Sequence, residues 1–162
     1  MCLTLLLLVL YCLVMMLVQS VLITMALTAM VAADAVADLR PVIEKSAARH
    51  GVDPLFMEAI IRLESGHAAS RAARTRNNLA GIMGRKSLRR YASKEECVEH
   101  LASILGRYRA HGRITVAEVA RTYSSNSEKW AKCVGRLMLA IRNGRWGSLD
   151  KRTLVASEKN AD

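Results

Sequence analysis

Apolar residues recur every three or four positions through most of the chain after residue 38, which is the spacing of amphipathic helices. The clearest case starts at Asp53, a favourable N-cap, followed by Pro54 at the first helical position, and Gly66 is a suitable C-terminal cap. No segment shows the alternation typical of strands. The pattern therefore predicts an all-α domain of about five helices: 39–49, 54–65 and three that begin at S/T-x-x-E capping boxes, at Ser93, Thr115 and Ser125.

The first 33 residues contain no charged side chain, and this apolar run exceeds the roughly 20 residues that a transmembrane helix needs. It predicts either an uncleaved anchor or a signal peptide. The missing basic start and the length favour an anchor, whereas small residues at Ala32, Ala33 and Ala35 permit cleavage. The chain is thus expected to divide into this segment (1–33), a helical domain (34–144) and a basic tail of little regular structure (145–162).

Glu64 lies in the last turn of the helix predicted over 54–65. It falls at i+7 from Met57 and shares a face with Ile60 and Ile61, so we expect its carboxyl group to lie against apolar side chains. Such surroundings favour the protonated form of a carboxyl group, the form in which a general acid acts. The alternative is a last-turn glutamate that simply reaches water. Glu58 and Arg62 are predicted to form an i,i+4 pair on the solvent face.

The segment that follows, ESGHAASRAARTRNNLAGI, resembles the glucosaminidase family, glycoside hydrolase family 73. The likeness extends over about residues 40 to 142 and includes a Tyr-x-Ser helix start at Tyr91 and a tyrosine, Tyr123, near the end. It implies a lysozyme-like helical fold that cleaves β-1,4 bonds in the glycan strand of peptidoglycan. The matching positions are Glu64, Ser65, Gly66, Ser70, Asn77, Asn78, Leu79, Gly81 and Ile82.

The resemblance implies that Glu64 is the proton donor and that Tyr123 lies near it, where a phenol orients a water or an acetamido group by hydrogen bonding. Substrate-binding positions in the cleft are expected at Ser65, Ser70, Asn77, Asn78 and Tyr91. Structural roles are the alternative for the tyrosines, as core residues, and for the asparagines, as residues that stabilise a tight turn.

Two departures from the family pattern bear on the chemistry. His67 stands where the family usually has an aromatic residue. The family's hairpin insert, which often carries a second acid, is replaced by MGRKSLRR, which has no carboxylate. Glycosidases usually need two carboxylates, although the 2-acetamido group of the substrate can replace one. The resemblance in the Asn-Asn-Leu-x-Gly-Ile turn favours endo-β-N-acetylglucosaminidase activity. The single carboxylate leaves a lytic transglycosylase as an alternative, and the missing hairpin and second acid leave a non-catalytic wall-binding protein as another.

The net charge of +10 suits an anionic partner such as peptidoglycan carboxylates, wall phosphates or lipid headgroups, or else a solvated basic surface. No nucleic-acid-binding signature is present. No cofactor or metal is expected, because Cys97-x-x-His100 is only half of a zinc motif. Cys97 and Cys133 are expected as either a disulfide or two buried thiols.

The location of the domain is inferred from the apolar N-terminal segment and the expected wall substrate together. We expect it to be anchored in the membrane facing the periplasm or cell wall, or secreted after signal cleavage. Arg40, Lys45 and Arg49, the first basic residues after the span, would instead favour the cytoplasm, although whole domains can be exported regardless of charge. Nothing in the sequence indicates an oligomeric state.

Overall fold

The computed structural model describes residues 34–144, together with Met15, Met16 and Gln19. Contacts divide the chain into residues 1–33 and residues 34–162, and the fold below is that of the second unit. The predicted membrane or signal segment and the basic tail lie outside the described residues, apart from those three positions. No described helix is long and apolar enough to cross a bilayer.

The described part of residues 34–144 is helical, and its single β-bridge, between Met83 and Leu88, belongs to no strand. The predicted all-α class is therefore confirmed. A short 3-10 turn, Ala37–Leu39, precedes six helices: α1 (Arg40–His50), α2 (Pro54–Ser65), α3 (Arg71–Arg76), α4 (Lys94–Ala110), α5 (Val116–Tyr123) and α6 (Ser127–Arg142).

Helix α3 is the element that the apolar pattern missed. It has a single buried side chain, Ala73, so it shows no apolar stripe. Its ends are set by local chemistry instead. Ser70 Oγ accepts a hydrogen bond from Ala73 N at its start, and Asn77 adopts a left-handed conformation, with φ of 51°, at its end.

Most predicted helix ends are confirmed, and one is wrong. Asp53 caps α2 and Gly66 ends it in the left-handed conformation, while Thr115 and Glu118 form a complete capping box. The box predicted at Ser125 is wrong. Asn126 Oδ1 accepts from Lys129 N at 3.3 Å, so the competing amide one residue later caps α6.

The core is built around α2, which packs on α1 and α6, while α1 packs on α4 and α5 packs on α6. Every residue of α2 from Phe56 to Arg62 is buried. Met57, Ile60 and Ile61 face the core as predicted. The other side of α2 is covered as well, because Asp34, before α1, bonds to Arg62, and Arg40, the first residue of α1, bonds to Glu58.

This second cover makes the prediction of a solvent-exposed Glu58–Arg62 pair wrong: the pair exists, but it is buried. Arg62 Nη2 lies 2.6 Å from Glu58 Oε1 and 2.6 Å from Asp34 Oδ2. Arg40 Nε approaches Glu58 Oε2 at 3.2 Å. The charges are tolerated because each ion is paired and hydrogen-bonded within the chain.

We expect Arg62→Met to lower the free energy of unfolding by about 3–5 kcal/mol, because it leaves the Glu58 carboxylate buried with its main partner lost. Lys132→Met is the matched control. Lys132 and Glu128 form an exposed i,i+4 pair, with side chains 61% and 80% exposed, and such pairs contribute about 0.2–1 kcal/mol. Urea unfolding of both variants makes the comparison, and equal losses would show that the buried network contributes nothing special.

Helices α1 and α4 are joined by Glu99. Its carboxylate accepts hydrogen bonds from Ser46 Oγ at 2.6 Å and Arg49 Nη1 at 2.7 Å, and it lies 3.0 Å from His50 Nε2. The hydrogen bonds from Ser46 and His50, followed by that from Arg49, lower the pKa of Glu99 from 4.5 to about 2.

Because the pKa of Glu99 is lower in the folded chain, its contribution to stability is fully present above pH 4.5 and is lost as the pH falls towards about 2. We therefore expect Glu99→Gln to destabilise the domain near neutral pH, with a difference from wild type that shrinks through this window. Glu44→Gln, which removes an exposed carboxylate of α1, is the control. Denaturant midpoints measured as a function of pH test this. A difference that is constant across the window would contradict it.

Candidate active site

Glu64 lies at the end of α2, one residue before Ser65 closes the helix, and it is partly buried. Trp130, on the first turn of α6, donates a hydrogen bond from Nε1 to Glu64 Oε1 at 2.8 Å. This contact joins two positions 66 residues apart. One oxygen of the carboxyl group is thereby held in a defined place.

Trp130 is itself held by aromatic neighbours. Its ring meets Phe56 of α2 edge to face, with centroids 6.3 Å apart, and lies 5.1 Å from the ring of Tyr123 at the end of α5. Sequence analysis did not assign Trp130 to the site. The available signal was the indole N–H, since a buried tryptophan usually finds a partner for it.

The second oxygen, Glu64 Oε2, faces the turn that contains Gly81. A Cβ atom at position 81 would lie 3.1 Å from Oε2, and Gly81 has φ of +64°, so both space and conformation favour glycine there. Gly81 is exposed. The Glu64 carboxyl group therefore has one oxygen bound to Trp130 and the other next to the exposed Gly81.

Tyr123 packs against the Trp130 ring and lies within electrostatic reach of Glu64, and its hydroxyl bonds to the backbone. Tyr123 Oη donates to the carbonyl oxygen of Ala80 at 2.6 Å. Burial, and then the negative charge of Glu64, raise the pKa of Tyr123 well above 10. The phenol is therefore neutral near neutral pH, and its hydrogen bond to Ala80 O stabilises the turn that contains Gly81.

Asn77 and Asn78 hold the same turn from within. Asn78 is buried; its Oδ1 accepts from Ile82 N, and its Nδ2 donates to the carbonyl oxygens of Ile82 and Arg89. Asn77 Nδ2 donates to the carbonyl oxygens of Tyr91 and Ala92. The amide pair thus connects both ends of the segment between α3 and α4.

The remaining predicted substrate-binding residues are also engaged within the chain. Ser65 is buried; its Oγ donates to Ile61 O and accepts from Ala68 N, whereas Ser70 caps α3. Tyr91 is only 4% exposed, and its hydroxyl lies 2.7 Å from His100 Nδ1. Burial raises the pKa of Tyr91 to about 12. These side chains therefore bond to other parts of the described chain, and substrate binding by any of them stays a prediction.

The link MGRKSLRR forms a minimal hairpin in place of the family's longer insert. Met83 and Leu88 form an antiparallel bridge, Gly84 N donates to Ser87 O at 2.7 Å, and Arg89 N donates to Ile82 O at 2.9 Å. Its tip is Arg85-Lys86. Two-residue periodicity over so short a segment is too weak a signal to predict such pairing.

His67 also has a defined place. It follows Gly66 in the left-handed conformation, with φ of 59°, and its Nδ1 lies 3.3 Å from Arg62 Nη1. The residue that replaces the family's aromatic side chain therefore contacts the buried ion network.

Seven other carboxylates of the described residues have structural partners. Asp53, Glu96 and Glu118 accept hydrogen bonds at helix starts, and Asp34, Glu58, Glu99 and Glu128 pair with basic side chains. Within this part of the chain, the hydrogen-bond partner of Glu64 is the indole of Trp130 and not a second carboxylate. Glu64 is thus the acid that the described fold presents at this site.

No group of three or more His, Cys, Asp or Glu side chains in the described ranges could hold a metal ion. Cys97 and Cys133 are both buried and present as thiols, not as a disulfide. The thiol of Cys97 packs below the site, where Leu79 N donates to its Sγ at 3.3 Å, and burial raises its pKa. Of the two alternatives for these cysteines, the structure shows the buried thiols.

A carboxyl group held at a helix end next to an exposed residue is placed where a general acid can act. The model of the glucosaminidase family, described as mannosyl-glycoprotein endo-beta-N-acetylglucosaminidase, matches residues 40–148, and the chain belongs to this family. Membership confirms the resemblance and supports a peptidoglycan hydrolase in general. No curated protein and no solved structure gives a significant match.

The Trp130–Glu64 hydrogen bond predicts different effects for two substitutions. Glu64→Gln keeps an acceptor oxygen for the indole and should change stability little. Glu64→Ala leaves the buried indole N–H without a partner, which costs about 1–3 kcal/mol. Chemical unfolding of both variants measures this. Equal stabilities, or an Ala variant more stable than wild type, would show that the bond does not hold the site together.

Proposed function

We propose that this protein is an endo-β-N-acetylglucosaminidase that cleaves the glycan strand of peptidoglycan, with Glu64 as general acid. One observation carries the proposal: Glu64 Oε1 is held by Trp130, while Oε2 lies against the exposed turn at Gly81. In the protonated group, Oε1 serves as the accepting oxygen and Oε2 bears the proton. The proton is then on the side that a polymer can reach.

This geometry suits proton transfer to the leaving oxygen of a glycosidic bond. The acid must lie within hydrogen-bond reach of that oxygen and must be held in place before the substrate arrives. Trp130, fastened by Phe56 and Tyr123, supplies that rigidity. A methyl group at position 81 would occupy the space next to Oε2.

The nucleophile in this proposal comes from the substrate. The carbonyl oxygen of the 2-acetamido group attacks the anomeric carbon, the glycosidic C–O bond breaks, and Glu64 gives its proton to the leaving oxygen. Water then attacks the anomeric carbon, the acetamido group leaves it, and the Glu64 carboxylate takes the water proton. One carboxylate is sufficient for both steps.

Tyr123 has a matching role in the proposal. Because its proton is donated to Ala80 O, Tyr123 Oη retains lone pairs and can act only as an acceptor towards the substrate. An acceptor suits the N–H of the acetamido group, and it would orient that group for attack. The raised pKa of Tyr123 keeps the phenol neutral during this step.

The same single carboxylate also suits a lytic transglycosylase, in which the 6-hydroxyl of the sugar, not water, attacks in the second step. A non-catalytic wall-binding protein is the candidate from another class, favoured by the basic hairpin beside the site. Either enzyme must reach the wall. We propose that residues 1–33 provide this access, as an anchor or as a signal peptide.

Digestion of purified sacculi tests the function. Wild type is expected to release muropeptides that end in a reducible N-acetylglucosamine, whereas 1,6-anhydro ends would identify the transglycosylase. Glu64→Gln should release at least about 100-fold less, because general acid catalysis contributes 10²–10⁴-fold. If wild type and Glu64→Gln both pellet with sacculi and neither releases muropeptides, the enzymatic proposal fails.

The space beside Glu64 Oε2 is tested by a matched pair of glycines. Gly81 and Gly112 both have left-handed backbones, with φ of +64° and +77°, but a Cβ at Gly112 would contact nothing within 4 Å. Each Ala variant should lose about 1–2 kcal/mol of stability. Only Gly81→Ala should also lose muropeptide release at a temperature where both are folded, and equal activities would contradict the assignment of Oε2.

A further inference from the structure

The positive charge of this chain is concentrated in one part of the fold. Residues 65–94 contain eight lysines and arginines and no aspartate or glutamate, out of a net charge of +10 for the whole chain. We define the basic surface as the six exposed cations of α3 and the hairpin. They are Arg71, Arg74, Arg85, Lys86, Arg89 and Arg90.

The acids of the domain are used elsewhere. Glu58 and Asp34 pair with Arg62, and Glu99 pairs with Arg49, so the cations around α1 and α2 are largely neutralised. Among the described residues, none of the six cations of the basic surface forms an ion pair with a carboxylate. Their field is therefore directed at solvent and at whatever approaches.

The backbone that carries the basic surface is held in place by hydrogen bonds within the chain. Arg76 Nη1 donates to Leu88 O at 2.7 Å, and Arg90 Nη1 donates to Thr75 O at 2.6 Å, so α3 and the hairpin are fastened to each other. Asn78 bonds to the carbonyl oxygens of Ile82 and Arg89, at the hairpin base. A backbone held in place loses little conformational entropy on binding.

The hairpin starts at the active site. Ile82 is the residue next to Gly81, whose exposed turn faces Glu64 Oε2. A chain extends at most about 3.6 Å per residue, so the tip at Arg85-Lys86 lies within roughly 18 Å of Gly81. A polymer that places one bond at Glu64 therefore passes near the basic surface.

We propose that the basic surface binds the repeated anionic groups of the wall polymer, carboxylates or phosphates, and thereby holds the strand whose glycosidic bond lies at Glu64. This inference rests on the proposed function for its substrate. In this proposal, electrostatic contacts hold the glycan strand, a role that a larger insert or an aromatic platform would otherwise perform. Arginine suits it, because guanidinium groups bind carboxylate and phosphate with paired hydrogen bonds.

An anionic bilayer is the less suitable partner. Binding along a membrane surface uses an amphipathic helix whose apolar face enters the headgroup region. Helix α3 has six residues, and its one buried side chain, Ala73, already faces the core. Met83 is the only exposed large apolar side chain in the hairpin. The surface offers charge without an apolar face to insert.

The test uses the full chain with Glu64→Gln, so that binding to sacculi is measured without digestion. Arg85→Gln/Lys86→Gln should weaken binding about three- to tenfold, and affinity should fall between roughly 50 and 300 mM salt. Lys45→Gln/Arg107→Gln, which removes two exposed charges from α1 and α4, is the matched control and should bind like the parent. Arg85→Lys/Lys86→Arg should retain binding.

Three further probes identify the anion. Sacculi with amidated carboxylates isolate the carboxylates, and sacculi stripped of phosphate polymers by hydrofluoric acid isolate the phosphates; loss of binding in either supports the proposal. Unchanged binding in both treatments combined, or equal binding by the two double variants, would overturn it. So would charge-dependent binding to phosphatidylglycerol vesicles without binding to sacculi.

The proposed function and this inference can fail separately. Arg85→Gln/Lys86→Gln could release muropeptides at the wild-type rate with no change in salt dependence or KM. That result would overturn the proposed role of the basic surface and leave the proposed glycosidase activity untouched. Charge-dependent binding to sacculi by a wild-type chain that releases nothing would do the reverse.

Discussion

The structure depends on burying α2 from both sides. Seven successive residues of this helix, Phe56 to Arg62, lie in the interior, and two of them are charged. Each charge must find its partner within the chain, which brings Asp34 and Arg40 onto the helix. The same enclosure brings α6 against the end of α2, where Trp130 meets Glu64. The fold and the site therefore share one cause.

The signature residues of the family take on a physical meaning in this frame. The side chains of Asn78, Ser65 and Ser70 form hydrogen bonds with the backbone. Gly81 has no side chain, which leaves space for Glu64 Oε2. Asn78 and Gly81 thereby keep the turn at a fixed place beside one carboxyl group. A site built this way is preorganised, which is where much of an enzyme's rate advantage originates.

Much of this could be predicted from the sequence, because local rules govern helices. The Asp53-Pro54 start, the Gly66 end and the Thr115 capping box each depend on neighbours within four residues. What could not be predicted depends on distant partners. The burial of Arg62 requires Asp34, the orientation of Glu64 requires Trp130, and the Tyr123 hydroxyl requires Ala80 O. Helix α3 was not predicted for a different reason, because its caps define it and it has no apolar stripe.

The central claim is that one carboxylate, acting with the acetamido group of the substrate, cleaves the glycan. The anomeric configuration of the first product tests it most directly, because attack by the substrate's own group followed by water inverts the anomeric centre twice. Proton NMR during digestion of a soluble glycan fragment should show the β-anomer first, with retention of configuration. Initial formation of the α-anomer would mean single-step attack by water, which needs a second base, and would contradict the single-carboxylate mechanism.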